Sequence, residues 1–351
     1  MKLFRILLLP FSWVYGLVVA IRNFIYDVGW KKQTSFDLPV IVVGNLDVGG
    51  SGKTPMTEYL IRLLKDKYKL ATLSRGYGRK TSGYIEAGFN ASASQIGDEP
   101  AQFKQKFPEI TVAVCESRVT GVSNLKKEHE LVLLDDAFQH RALQPGFSLV
   151  LFEYSRVFKP HWLLPAGNLR ESFNGRKRAD MLVVSKCPPM LKADEQERIL
   201  KRLKPYPHQQ VFFTSIQYGP LEDLSGNREQ ELPDAETTVY LLTGIANPKP
   251  LWNEIAAWTS RIRHHNYPDH HQFSLKNITK LVSEFEGDKS LKKIIVTTEK
   301  DAQRLREQDM MKAMEHLPLF VQPIAISFLN NSADQFDHLI NNYARKYTTH
   351  H

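Results

Sequence analysis

The sequence predicts an α/β protein built on mainly parallel sheets, and three observations predict it. Short apolar runs alternate with helical stretches along most of the 351 residues. A glycine-rich turn ending in Gly-Lys-Thr lies between one apolar run and the helix after it, and a long uncharged segment occupies the N-terminus. Strands alternating with helices assemble as βαβ units and give parallel pairing.

The N-terminal element, residues 1–35, comes first. In "MKLFRILLLPFSWVYGLVVAIRNFIYDVGWKK" an uncharged run extends from Ile6 to Ile21 between Arg5 and Arg22. As a helix it would be about 24 Å long, shorter than a hydrocarbon core of about 30 Å. The length favours a helix lying in or dipping into one leaflet over a clean span. Trp13, Tyr15 and Trp30, with Lys2, Arg5, Arg22, Lys31 and Lys32, are the residue types that sit at a membrane interface. A secretory signal is disfavoured because no A-x-A-like site follows the run and a nucleotide loop downstream needs cytosolic ATP. A buried core helix is the structural alternative.

The next segment, residues 36–210, carries a series of predicted strands at Pro39–Val43, Leu70–Leu73, Ile110–Val114 and Leu131–Leu134. It continues through "FSLVLFE" and "DMLVVSK". A smaller α/β domain with linker strands is expected over 211–351, from "TTVYLLTGIANP", "RIRHHNYPDHHQF" and "KKIIVTTEKDAQRL". The boundary falls among the prolines and polar residues of Tyr206 to Pro220. The 42% hydrophobic content suffices for ordinary cores. Two cysteines, Cys115 and Cys187, without a paired framework fit a reducing compartment. A net charge of +8 implies acidic partners, and beside an apolar N-terminus an anionic membrane surface and an anionic lipid are expected rather than nucleic acid.

The turn itself, "GNLDVGGSGKTP", nearly fits the phosphate-binding loop G-x-x-x-x-G-K-[ST]. Asp47 stands where the first glycine belongs, and Asp is among the few residues that tolerate the left-handed region. Asp47, Val48, Gly49, Gly50, Ser51, Gly52, Lys53 and Thr54 are therefore the expected ATP-phosphate cradle. Lys53 supplies charge, Thr54 a hydroxyl for Mg²⁺, and Met56–Leu64 the following helix. The first domain is accordingly expected to be P-loop NTPase-like. An ordinary glycine-rich connection would not explain Lys and Thr together at a helix start.

Four other clusters could carry chemistry. "LVLLDDAFQHRAL" ends a buried strand in Asp135 and Asp136, and Asp136 is the candidate second Mg²⁺ ligand, a helix N-cap pair being the alternative. "IGDEPAQF" places Asp98 and Glu99 before a proline, where they are either helix-dipole charges or a base for an acceptor hydroxyl. Arg75, Arg79, Arg118 and Arg170, then Arg176, Lys177 and Arg178, lie at strand ends and suit phosphate oxygens. "YPDHHQF" concentrates Asp269, His270 and His271; with no cysteine pair nearby, a histidine working with a carboxylate is favoured over a zinc site. "VVSKCP" lacks the carboxylate of a guanine-specific K-x-D motif, which favours ATP.

Taken together, "GNLDVGGSGKTP", "LSRGYGRK", "GDEP", "CESR", "LDDAFQHRAL", "LLPAGNLRE", "RAD…VVSK", "LTGIANP", "PDHHQF" and "TTEKDA" resemble the tetraacyldisaccharide 4′-kinase family of lipid A biosynthesis. The motifs occur in family order as far as about Leu305. The resemblance implies a kinase on the cytoplasmic face of the bacterial inner membrane that moves the ATP γ-phosphate to the 4′-hydroxyl of a tetraacylated glucosamine disaccharide 1-phosphate. It implies two α/β domains with the active site between them. It further implies a catalytic carboxylate on Asp98 assisted by His270, metal-linked acids on Asp136 and Glu171, and substrate contacts from Glu99, Arg75, Arg79, Arg118, Asn168 and Arg170. The residues alone leave open whether His270 or His271 is the assisting histidine. A membrane-tethered NTPase switch without a small-molecule acceptor is the alternative from another class.

Overall fold

The computed structural model describes residues 2–228 and 233–348. Its strands are β1 (Val40–Asn45), β2 (Leu70–Ser74), β3 (Ile85–Glu86), β4 (Thr111–Val114), β5 (Leu131–Asp135), β6 (Phe147–Glu153), β7 (Met181–Ser185), β8 (Gln210–Tyr218), β9 (Glu222–Asp223), β10 (Thr238–Thr243), β11 (Ile262–Asn266), β12 (Lys293–Thr298), β13 (Leu319–Gln322) and β14 (Ile324–Phe328). Among the described residues they form a nine-stranded sheet, ordered β14-β8-β7-β6-β1-β5-β2-β4-β3, and a five-stranded sheet, ordered β11-β10-β12-β13-β9. All neighbours are parallel except the edge pairs β3–β4, β8–β14 and β9–β13. The α/β class and the P-loop NTPase-like first sheet expected from the sequence are what the chain adopts.

Central strands covered on both faces need apolar side chains in succession, not alternation. β1 meets this need with Val40 and Val42 on one face and Ile41 and Val43 on the other, each group buried in its own core. β1 lies between β5 and β6, which precede and follow different connections, so its carboxyl end is a topological switch point where ligands bind. The phosphate loop starts there.

The sheets do not divide where the sequence suggests, at 210/211. β8 still belongs to the first sheet, the chain then builds the second sheet over 222–322, and β14 returns to pair with β8. The last helix, Ala333–Thr348, buries Phe336, Ile340, Tyr343 and Ala344 in the first core beside Met56, Leu60 and Leu64. Tyr343 Oη contacts both the amide and the carbonyl of Val40 (3.1 and 3.2 Å). Composition could not reveal this return, because amphipathic helices at a C-terminus look alike whichever sheet they cover.

The N-terminal helix Leu9–Asp27 is long and apolar enough to cross a membrane, yet little of it is buried in the protein. The shorter helix Lys2–Leu7 precedes it. Pro10 sits in the first turn, where a missing N–H costs nothing. One face docks on the segment leading to Glu171: Ser12 Oγ donates to the Leu163 carbonyl (3.0 Å) and accepts from the Ala166 amide (2.9 Å), and Tyr15 Oη donates to the Arg170 carbonyl (2.7 Å). The opposite face leaves Phe11, Val14, Leu17, Val18, Ile21 and Phe24 exposed at helical spacing.

Candidate active site

The loop between β1 and the helix Lys53–Leu64 turns on two glycines with positive φ, Gly49 (103°) and Gly52 (83°). Asp47 does not take a left-handed conformation, so the substitution at the first consensus position needs no special backbone. Its carboxylate instead borders a small cavity with Glu153 and Arg156, where burial pushes its pKa up. Neighbours hold the loop in shape. Ser185 Oγ donates to the Ser51 carbonyl (2.7 Å), Arg156 Nη1 to the Val48 carbonyl (2.8 Å), Lys186 Nζ to the Gly50 carbonyl, and the Val48 amide to the Asn168 carbonyl (2.8 Å). Asn168, expected at the substrate, meets the loop through its backbone carbonyl.

Lys53 Nζ lies 3.5 Å from Asp136 Oδ1 and donates to Asn45 Oδ1 (3.3 Å). Arg170 Nη1 donates to both Asp136 oxygens at 2.9 Å. Burial alone would raise the pKa of Asp136, but the charges of Lys53 and Arg170 outweigh it and hold the carboxyl low. Asp135 lies deeper; burial, with Asp136 beside it, pushes it up to about 7, and it accepts from Thr57 Oγ1 (3.3 Å). Thr54 is buried at the helix start. A hydroxyl and two carboxylates are hard oxygen donors of the kind Mg²⁺ takes. Since the described residues contain no cluster of three or more metal-ligating side chains, phosphate oxygens and water would complete its shell. The Ser51 hydroxyl is buried without a partner, as a group awaiting a phosphate oxygen would be.

Glu171, expected at the metal, is elsewhere engaged. Its side chain is 0% exposed, and it accepts from Arg178 Nη1 and Nη2 (2.8 and 3.0 Å), Gln139 Nε2 (3.0 Å) and Asn23 Nδ2 (3.2 Å). A carboxylate so saturated fastens the N-terminal helix to the site; it is not a free ligand. Arg178 is thereby structural, as is Arg176, whose guanidinium donates to the Leu203 and Lys204 carbonyls (2.8 and 3.3 Å). Arg79, expected at the substrate, pairs with Glu116 through Nη2. Arg118 is buried and donates to the Asp136 carbonyl (3.3 Å), while Arg75 is exposed nearby. Burial, followed by the charges of Arg118, Arg75 and Arg22, pushes His140 down to about 4, which shows how basic this corner is.

The second sheet supplies the remaining group. His270 follows β11 in a left-handed conformation (φ 58°), its amide donating to the Gly244 carbonyl (3.0 Å). Its Nδ1 lies 3.1 Å from Asp98 Oδ2, on the helix Asp98–Lys106 that packs against the first sheet. His271 turns away, stacked on Tyr267 (4.5 Å) with Nε2 3.1 Å from Asn277 Oδ1. Burial would raise Asp98, but hydrogen bonds from His270 and Arg304 and the guanidinium charge hold it down to about 2. The hydrogen bond to Asp98 raises His270 against the effect of burial. Glu99, expected at the acceptor, instead pairs with Lys300 (2.5 Å). The sequence reading missed Arg304 and Lys300, both within or next to "TTEKDA"; the signal available was a helix N-cap, Thr298, followed by alternating charge.

A phosphate loop with its lysine beside an aspartate, and a carboxylate–histidine pair assembled from the elements of two sheets, are the parts that a phosphotransferase needs. The family model for tetraacyldisaccharide-1-P 4′-kinase matches residues 4–345. The chain belongs to the tetraacyldisaccharide 4′-kinase family. Proteins of that name from Bacteroides thetaiotaomicron and Flavobacterium johnsoniae are 45% and 42% identical, covering 97% and 99% of this chain and 93% and 99% of their own. A solved structure of the family, LpxK from Aquifex aeolicus in complex with ATP, superposes with a TM-score of 0.73 at 27% identity over 97% of this chain and 99% of its own. The match to this kinase family extends over both sheets and the N-terminal helix.

Proposed function

We propose that the chain transfers the ATP γ-phosphate to the 4′-hydroxyl of tetraacyldisaccharide 1-phosphate at the cytoplasmic face of the inner membrane, without a nucleic-acid partner. The observation that carries the reading is the meeting of Asp98 and His270, 3.1 Å apart yet contributed by elements of different sheets. A switch that only hydrolyses nucleotide has no use for such a pair.

In this reading the loop amides, the N-terminus of the helix Lys53–Leu64 and Lys53 bind the triphosphate. Thr54 and Asp136 would hold Mg²⁺, which would supply neutralisation of charge on the phosphate oxygens. The sugar hydroxyl oxygen attacks the γ-phosphorus, the bond to the β–γ bridging oxygen breaks, and ADP leaves. The hydroxyl proton goes to the pair. The sequence suggests Asp98 as the base, but a carboxylate held to about 2 and 8% exposed is a poor proton acceptor. His270, 38% exposed, is better suited: Asp98 keeps the proton on Nδ1 and Nε2 is left to accept. Arg75 and Arg118, with Arg22 reaching in from the N-terminal helix, suit the acceptor's 1-phosphate.

The apolar stripe of the N-terminal helix supports the membrane assignment. Six side chains, half to two-thirds exposed, would each contribute about 1 kcal/mol on burial in lipid, on the order of 6 kcal/mol together. Acyl chains of the acceptor would stay in the bilayer while its sugar reaches the cleft. Purified protein, ATP, Mg²⁺ and the tetraacyl disaccharide 1-phosphate should yield a bisphosphorylated disaccharide lipid by mass spectrometry. ATP consumption that does not depend on the glycolipid would reject the proposal.

A further inference from the structure

Arg304 is the least exposed cation of the interface between the sheets, at 1% of its side-chain area. It belongs to the helix Glu299–Leu305, which follows β12. Its Nε and Nη2 both donate to Asp98 Oδ2, at 3.0 and 2.5 Å. Its Nη1 is held within the second sheet, donating to Asp301 Oδ1 (2.8 Å) and the Gly244 carbonyl (3.0 Å). Asp301 is fixed in turn, accepting from the Gly244 amide (2.9 Å) and from Thr298 Oγ1 (2.8 Å). The carbonyl that anchors Arg304 also anchors the His270 amide. One rigid unit therefore presents two donors, guanidinium and imidazole, to a single carboxylate oxygen of the opposite sheet.

The geometry points to Arg304 as a positioning residue that carries the second sheet's grip on Asp98 and so sets the Asp98–His270 pair only when the sheets are closed. This rests on the reading of that pair as the site of proton transfer. A planar guanidinium reaches Asp98 and Gly244 from different nitrogens of one fixed plane, whereas the donors of an ammonium all lie on one atom and hold the two partners less far apart and less firmly in orientation. Two further ion pairs run along the same seam, Lys300–Glu99 (2.5 Å) and Lys106–Glu299, so the helices 98–106 and 299–305 meet in charge register. Of the three, the Arg304 contact alone touches the reacting pair.

The titratable and charged groups facing His270 are Asp98 and Glu99 from the first sheet, Tyr77 from the loop after β2, whose ring meets the imidazole with centroids 5.5 Å apart, Asp269 from its own loop, and Arg304. The three carboxylates favour the protonated imidazole and Arg304 opposes it. Loss of the guanidinium should therefore let the histidine hold its proton to higher pH.

The test uses full-length protein in detergent micelles, with Arg304→Gln, Arg304→Lys and His270→Ala. We expect Arg304→Gln to lower kcat about 10²-fold, the scale of a misplaced catalytic group, with KM for ATP unchanged within about twofold. Its acid limb of kcat against pH should move to higher pH, and Arg304→Lys should recover part of the rate. Amides of 98–106 should exchange faster with deuterium in Arg304→Gln. A folded Arg304→Gln protein with wild-type kcat and pH profile, or a kcat loss without any move of the acid limb, would overturn the inference. So would unchanged exchange in 98–106. If His270→Ala keeps wild-type turnover, the proton-transfer reading fails by itself, and the exchange measurement still decides whether Arg304 grips Asp98. Should Arg304→Gln not fold, Asp301→Asn loosens the same anchor, and it must show the same direction of change in exchange and rate.

Discussion

The assignment of proton transfer to His270 is tested most sharply by Asp98→Asn. The side chain keeps its shape, and Asp301 at 2.8 Å remains as a counter-ion for Arg304, so the interface should close. What changes is the hydrogen bond at 3.1 Å. An ionised carboxylate only accepts, which requires the proton on His270 Nδ1 and leaves Nε2 free. The oxygen that meets Nδ1 also accepts from Arg304 Nε and Nη2, so an amide keeps its carbonyl oxygen there: it still accepts from Nδ1–H, but as a neutral group that no longer stabilises the imidazolium formed when the ring takes the hydroxyl proton. Removing a general base outright costs about 10²–10⁴-fold, and removing the charge that supports it takes away the lower part of that range. The loss of kcat is therefore placed at about 10²-fold, with KM for ATP little changed. The pH sign follows from the same bond. Asp98 raises the histidine's affinity for its proton, and the base must be neutral to act, so losing the negative charge should move the acid limb of kcat to lower pH. Because the two residues act as one unit, the Asp98→Asn/His270→Ala double variant should fall within about tenfold of the poorer single variant. Steady-state kinetics from pH 5 to 9, with product measured by mass spectrometry, reads all three quantities; the pH range is a rough bracket around the ordinary histidine pKa. Fully multiplicative losses, or an acid limb that stays in place, would refute the reasoning.

Other outcomes can be measured alongside. Lys53→Ala, Thr54→Ala and Asp136→Asn should each reduce turnover by about 10²–10³-fold at saturating ATP and Mg²⁺, as loss of fixed charge stabilisation does; near-wild-type rates would reject the role concerned. Glu171→Gln leaves Arg178 without its buried counter-charge and should destabilise the fold by about 3–5 kcal/mol, visible in denaturant unfolding. An unchanged midpoint there would return Glu171 to consideration as a metal ligand. Deleting residues 1–22, or placing Glu at Leu17 and Ile21, should release the protein from membranes in high salt; persistent sedimentation would show that another surface is the anchor.

Much of the first sheet is legible because its strands are continuous apolar runs with short glycine punctuation, from Ile41–Val43 to Met181–Val184. The phosphate loop and Asp136 are legible for the same reason: a spacing rule ties each to a strand end. Three things were not. The return of β14 and the last helix to the first sheet depends on which of two cores an amphipathic face covers, and periodicity carries no address. The roles of Glu99, Glu171, Arg79 and Arg178 depend on partners distant in sequence; a carboxylate beside a site reads alike whether it meets a metal or a buried cation. Arg304 was hidden by its setting, since an arginine on a short charged helix is ordinarily solvated.

The ion pairs between the two helices bear on how such an enzyme turns over. An apolar interface of the same extent would favour closure strongly, because burial is stabilising and non-directional. Ion pairs differ: the desolvation of Arg304, Asp98, Lys300 and Glu99 offsets most of their attraction, so the net stabilisation of the closed form is small while its geometry is narrowly defined. Burial opposes the charged form of both Arg304 and Lys300, and each stays charged through the carboxylates across the seam. Closure that is specific but shallow suits a cycle that must admit a lipid headgroup, exclude water during transfer and then release two anionic products. The N-terminal helix is fastened beside the first sheet through Ser12, Tyr15 and Asn23, so if it anchors the protein as proposed, the second sheet is the part expected to move against the membrane-held first.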